Sequence, residues 1–165
     1  MISGIKERDN GISMRIKPGG DNGPYNVFIE TETIVEFNDL DPMRIVWHAN
    51  YFNYFEKGRR VLLEKLGYNY YEMEKTGYAF PVVEASIKYI GPLYYRDRII
   101  IKTILEEYEN RLRIKYEIRN AKTGLITTKG FTTQMAFDIN NNESCFICPA
   151  ELIEKIEALI KGKTE

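Results

Sequence analysis

A chain of 165 residues that is 44% hydrophobic and 28% charged has the size of one compact domain with a real core, and is too short for two. Its 23 Lys+Arg against 24 Asp+Glu leave a formal charge of -1, so no global basic field exists to hold nucleic acid. No window nears the roughly 20 apolar residues of a membrane span, and MISGIKERDN lacks the apolar core of a secretory signal, so a cytoplasmic protein is expected.

Residues 1–26 carry five Gly and two Pro among polar residues and read as an N-terminal extension ahead of a single domain over 27–165. The β-rich run VFIETETIVEF, Val27 to Phe37, predicts a first strand, closed by the Asn-Asp-Leu-Asp-Pro turn chemistry. The period then changes. Tyr51, Tyr54, Phe55, Gly58, Val61, Leu62 and Leu66 recur at spacings of three and four, the mark of a helix with one buried stripe, and Gly67 stops it. At about 20 residues this helix would be roughly 30 Å long, enough to cross a sheet. Gly58 lies in the stripe at a cost of about 1 kcal/mol relative to alanine, which predicts close approach to a strand.

A short helical piece follows over Tyr70 to Lys75, and after TGYAFP everything alternates. Val83, Ala85, Ile87 and Tyr89 share one face of a strand; Ile99 to Leu105 form the next. Arg111 to Arg119 places Leu112, Ile114, Tyr116 and Ile118 on one side and charged residues on the other. Asn120 to Gly124 supplies a hairpin turn, and Leu125 to Ile139 a longer strand with Gly130 as a possible bulge. Pro149 suits the first position of a last helix whose stripe is Leu152, Ile153, Ile156 and Ile160. The prediction is an α+β domain: a five-stranded antiparallel sheet wrapped around a long central helix, with a C-terminal helix. Cys145 and Cys148 make one CxxC, half of a four-ligand zinc set, and read as two reduced thiols.

The segment DLDPMRIVWHANYFNYFEKGR, set between a first strand and a long helix, resembles the hot-dog-fold acyl-CoA thioesterases of the 4-hydroxybenzoyl-CoA type. The likeness runs from Val27 to Ile139 and takes in FPVVEASIKYIGPLYYRD. The resemblance implies hydrolysis of an acyl-CoA thioester without metal or cofactor, in a homodimer or homotetramer whose sheets pair edge to edge. It makes Asp41 the catalytic carboxylate and the backbone N–H of His48 the donor to the thioester oxygen. Arg44 stands where the family usually has glycine, and Phe37 where some branches carry tyrosine.

That chemistry suits these residue types. Thioester hydrolysis places negative charge on the carbonyl oxygen, which orphan N–H groups at a helix start stabilise. A carboxylate attacks the carbonyl or draws a proton from water, and the sequence leaves both open. Without the resemblance Asp41 would read as a cap or turn residue. Asp39 reads as a turn residue, and the pair alone offers too few oxygens for magnesium. The His48 ring lacks the GxSxG elbow of a triad.

Trp47 and Tyr51 are candidate acyl-pocket residues or core. Arg59 is either half of an ion pair with Glu56 on a solvated face or a phosphate contact. Lys88, Arg96, Arg98 and Lys129 are further phosphate candidates. The rival readings are a hot-dog dehydratase, whose histidine motif is missing, an acyl carrier protein thioesterase, and a non-catalytic acyl-binding module.

Overall fold

The computed structural model describes residues 12, 14–18 and 25–162. Among these, nine strands and three helices follow one another as β1 (Arg15–Pro18), β2 (Tyr25–Ile34), α1 (Tyr51–Lys65), α2 (Tyr70–Thr76), β3 (Tyr78–Ala79), β4 (Val82–Tyr89), β5 (Arg98–Glu107), β6 (Leu112–Asn120), β7 (Ile126–Gln134), β8 (Ala136–Asp138), β9 (Glu143–Cys145) and α3 (Ala150–Lys161). The main sheet is antiparallel in the order β1-β2-β5-β6-β7-β4, and β3-β8-β9 form a small second sheet.

The sheet therefore has six strands among the described residues, where five were expected. The added one is β1, whose residues 15–18 pair with 25–28 of β2, while Met14 beside it is buried in the core. These residues were assigned to the extension because their polar, Gly-rich surroundings carry no period of their own; the pairing comes from β2. The rest of that extension lies outside the described residues. The expected strand over Leu125 to Ile139 is broken into β7 and β8 at Met135, whose N–H goes to the carbonyl of Pro81. Of the four later strands β5, β6 and β7 neighbour one another in chain order, but β4 pairs with β7 instead of β5 and ends the sheet.

On β5 and β6 the alternation seen in the sequence becomes alternating burial: Ile99, Ile101, Thr103, Leu105, Leu112, Ile114, Tyr116 and Ile118 lie inside and their neighbours lie further out. α1 lies against this inner face, touching β2, β5 and β6. It has 15 residues, about 22 Å, shorter than expected because its first residues instead form a separate 3-10 turn, His48–Asn50. Its buried side is Tyr51, Tyr54, Phe55, Gly58, Arg59, Leu62 and Leu63. The Phe55 ring stacks on Tyr116 with centroids 4.2 Å apart. Gly67, at φ 73°, takes the left-handed conformation that ends the helix, and Lys155 of α3 donates to its carbonyl at 2.8 Å, a cation placed where the helix dipole favours one.

Gly58 makes the close approach its position called for. A Cβ there would collide with Thr103 Oγ1 and stand 3.2 Å from Ile101 Cγ2. The two cysteines are unpaired, and burial pushes the Cys148 thiol up to about 11. Replacing Gly58 by alanine should lower stability by about 1–3 kcal/mol through overpacking, despite alanine's better helix propensity. Urea unfolding should show part of this loss restored in Gly58→Ala/Thr103→Ala, and a single variant as stable as the parent would show that the contact is not tight.

Candidate active site

Between β2 and α1 the chain makes a compact loop whose backbone bonds are nearly all to itself. Asp41 N–H donates to the carbonyl of Ile45 at 2.9 Å, Arg44 N–H to that of Asp41 at 2.9 Å, and Trp47 N–H to that of Asp39 at 2.9 Å. Leu40 and Val46 form an antiparallel bridge, as do Ile45 and Tyr94. The Asp-Pro sequence turns the chain at 41–44, and Arg44 closes the turn at φ 62°. That left-handed backbone is one glycine adopts freely, so Arg44 takes a glycine-type conformation with its side chain exposed.

The Asp41 carboxylate is half-buried. Its Oδ1 accepts the N–H of Met43 at 2.8 Å, an Asx turn that fixes the side chain's rotamer. Its Oδ2 has no hydrogen-bond partner among the described residues. His48 begins the 3-10 turn that runs directly into α1. Its carbonyl accepts the Tyr89 hydroxyl at 2.7 Å, whereas its N–H makes no hydrogen bond to any described residue, the usual state of a donor at a helix start. One loop thus carries an open carboxylate oxygen and an open amide.

Asp39 does more than turn the chain. Its Oδ2 accepts the N–H of Glu36 at 2.9 Å and the Tyr54 hydroxyl at 2.8 Å. Tyr54 is 1% exposed; burial first, and then the Asp39 carboxylate, push its phenol far above the ordinary range. The bond ties the loop to the first turn of α1. Sequence reasoning missed it, although a tyrosine in a buried stripe carries a hydroxyl that needs a partner. Tyr89 was missed as well, and its contact with His48 spans 41 residues with no local signal.

The other predicted residues divide. Tyr51 is buried, its ring edge-on to Tyr54 and Tyr89. Burial, partly offset by a hydrogen bond with Thr128 and reinforced by Tyr89 and Asp41, pushes its phenol up to about 12. It packs as core, with Asp41 close enough to be felt. Trp47 is 51% exposed on the loop, its ring against the His48 imidazole.

The expected ion pair of Arg59 with Glu56 is present, but the solvated face is not. Arg59 is 7% exposed, its Nη2 also reaching the Tyr70 hydroxyl at 3.4 Å. Eight residues along α1 from Tyr51, it lies about 12 Å from the loop, so it is not brought to Asp41. Its long stem lets the guanidinium fold inward from a position outside the apolar stripe, which periodicity alone does not show. Of the remaining cations, Arg98 pairs with Glu32. Lys88 and Lys129 line a groove of about 420 Å³ on the outer face of the sheet with Lys115, Glu117 and Phe131. No group of metal-binding side chains occurs among the described residues, and no helix there is long and apolar enough to cross a membrane.

The thioesterase-like superfamily model matches residues 35–156, which spans the loop, the central helix and strands β3 to β9. The chain belongs to that superfamily. YneP of Bacillus subtilis, whose name makes it a candidate acyl-CoA thioesterase, is 35% identical over 108 residues, 65% of this chain and 78% of that protein. The DHNA-CoA thioesterase of Staphylococcus aureus has a similar structure, with a TM-score of 0.70 at 28% identity, covering 84% of this chain and 95% of that one. The TT1821 protein of Thermus thermophilus gives 0.70 at 26%, covering 79% and 98%. The fold is the hot-dog thioesterase fold, with six strands in its main sheet. The match is to the superfamily: a solved 4-hydroxybenzoyl-CoA thioesterase shares 19% identity with this chain at a TM-score of 0.69, a likeness of fold alone.

Tyr54→Phe in this superfamily member should lower stability by about 1–3 kcal/mol, because the Asp39 carboxylate loses a donor it faces across a partly buried gap. Amide exchange should also quicken at residues 39–48 relative to β5 and β6. Unchanged exchange across the loop would show that the bond does not hold it.

Proposed function

We propose that this chain hydrolyses acyl-CoA thioesters to free acid and coenzyme A. The observation that supports this best is the pairing, on one pinned loop, of the Asp41 oxygen and the His48 amide that no described residue occupies. A thioester carbonyl between them would direct its oxygen at the His48 N–H and present its carbon to Asp41. As charge moves onto that oxygen, the amide and the aligned peptides of the turn stabilise it.

Asp41 Oδ2 then acts in one of two ways. As nucleophile it bonds to the carbonyl carbon, the C–S bond breaks, the sulfur leaves as thiolate, and water cleaves the resulting anhydride to return the carboxylate. As general base it takes a proton from the water that attacks. Water is the second substrate in both, and neither needs a metal or cofactor. In this reading Trp47, whose ring lies against that of His48, touches the substrate, and the buried Tyr51 backs the site.

The reading includes a homo-oligomer. β4 is paired on one side only, and Val82, Val83, Tyr89 and the following Ile90 are exposed on it or beside it. An open apolar edge of this length is one that soluble proteins cover, and a second copy of β4 would cover it in a homodimer or, with a further contact, a homotetramer. A carrier protein thioester would present the same carbonyl, so it remains the alternative substrate. The purely binding module has less support, because Arg44 keeps the left-handed backbone of the glycine it replaces.

A thiol-release assay over acetyl to palmitoyl and aromatic acyl-CoA esters tests the reading. The parent should turn over at least one ester class, and Asp41→Asn should be slower by about two to four orders of magnitude. A parent that binds these esters without releasing thiol would make the binding module correct, and a variant at full rate would remove Asp41 from the chemistry.

A further inference from the structure

Among the described residues three that are not glycine have positive φ: Arg44 at 62°, Arg96 at 66° and Asn142 at 53°. Asparagine tolerates that region, but an arginine there costs free energy that glycine would avoid. The two arginines are 52 positions apart in the chain, but the Ile45 and Tyr94 bridge and the Val46 N–H to Leu93 carbonyl bond at 2.9 Å join their loops antiparallel, so that Arg44, one residue before the bridge, and Arg96, two residues after it, leave it at the same end. Both arginines are exposed.

Among the described residues neither guanidinium donates a hydrogen bond. Neither guanidinium pairs with a carboxylate of a described residue, whereas Arg98 close by is engaged by Glu32 at 2.5 Å. The Arg96 guanidinium lies 5.3 Å from the centre of the Tyr95 ring, and that ring meets Phe37 edge-on at 6.1 Å. Of the carboxylates near in sequence, Asp97 accepts the N–H of Tyr94 at 2.8 Å, Asp39 is held by Glu36 and Tyr54, and Asp41 gives its Oδ1 to the N–H of Met43. On the outer face of the sheet, by contrast, Lys115 and Lys129 are already paired with Glu106 and Glu117.

We propose that Arg44 and Arg96 form a phosphate subsite for the carrier half of the thioester, placed on the two loops beside the Asp41 carboxylate. The inference rests on the thioesterase reading above. Guanidinium groups bind phosphate oxygens through paired N–H donors, and two on adjoining loops would grip a phosphate at the far end of a pantetheine arm whose sulfur ester lies at the loop's base. The phosphates of coenzyme A and the phosphodiester that joins the same arm to a carrier protein share this chemistry. Arginine at two positions whose backbone geometry favours glycine is what points to a role for the charge.

The test compares the parent with Arg44→Gly and Arg96→Gly. Glycine removes the cation and relaxes the backbone, so neither variant should fold less well. KM for an acyl-CoA ester should rise about tenfold in each variant at near-constant kcat, and KM for the matching acyl-pantetheine ester, which has no phosphate, should not move. In the parent, KM for acyl-CoA should increase with salt, and less so in the variants. The acyl carrier protein ester identifies the source: a shift with both carriers assigns the common phosphate, and a shift with coenzyme A alone assigns the nucleotide. If KM stays put for both carriers, or moves equally for acyl-pantetheine, the subsite is wrong. Calorimetric binding of coenzyme A separates this from the parent reading. A protein that hydrolyses no ester yet binds coenzyme A about tenfold tighter than Arg44→Gly keeps the subsite and loses the hydrolase, whereas equal binding by parent and variant ends the subsite.

Discussion

The Tyr54 hydroxyl reaches from the buried side of α1 to the Asp39 carboxylate, and through that bond the rigid part of the molecule takes hold of the loop where chemistry is proposed. The loop by itself is a short excursion with an Asx turn, a bridge and a few backbone bonds. Its position relative to α1 depends on a connection to something that does not move. Tyr54 supplies it because its ring is buried against Tyr51 and its hydroxyl is held by a carboxylate oxygen at 2.8 Å. Asp41 lies two residues beyond Asp39, and the Trp47 N–H that precedes the His48 peptide bonds back to the Asp39 carbonyl. The carboxylate and the amide are therefore both referred to one anchor.

The anchor in turn relies on how closely α1 lies on the sheet. Gly58 allows the helix backbone to settle on Thr103 and Ile101, and Phe55 stacks on Tyr116 where Gly130 leaves room for its ring. A helix held further out would carry Tyr54 away from Asp39. Tyr89 closes the arrangement from the other side, with its hydroxyl on the His48 carbonyl. That strand edge is the one proposed to meet a second copy, so in that reading assembly and the orientation of the amide share a residue.

The fold was largely legible because its signals are local. Alternation in β5 and β6 and the three-and-four spacing in α1 each follow from which side of the element meets the core. The requirement at Gly58 was visible too, since a glycine in a buried helical stripe needs a reason. What escaped was pairing at a distance. β1 has no pattern of its own and exists by virtue of β2, and β4 joins β7 across the sheet instead of its chain neighbour. At the site, Asp41 stood out only through the motif around it, and Asp39 looked like any turn residue. Arg59 looked solvated because periodicity places the Cα and says nothing of where a four-bond stem folds. The left-handed backbone at Arg44 and Arg96 has no signature in the residue type itself, since arginine ordinarily avoids it.

The most direct measurement is a crystal structure with a coenzyme A thioester analogue whose sulfur is replaced by methylene, so that the carbonyl remains and cannot be cleaved. The account predicts the carbonyl oxygen within about 3 Å of the His48 amide nitrogen and the Asp41 Oδ2 facing the carbonyl carbon, with Asp39 still bonded to Tyr54. An analogue bound with its carbonyl away from that loop, or with Asp41 turned from it, would contradict the account.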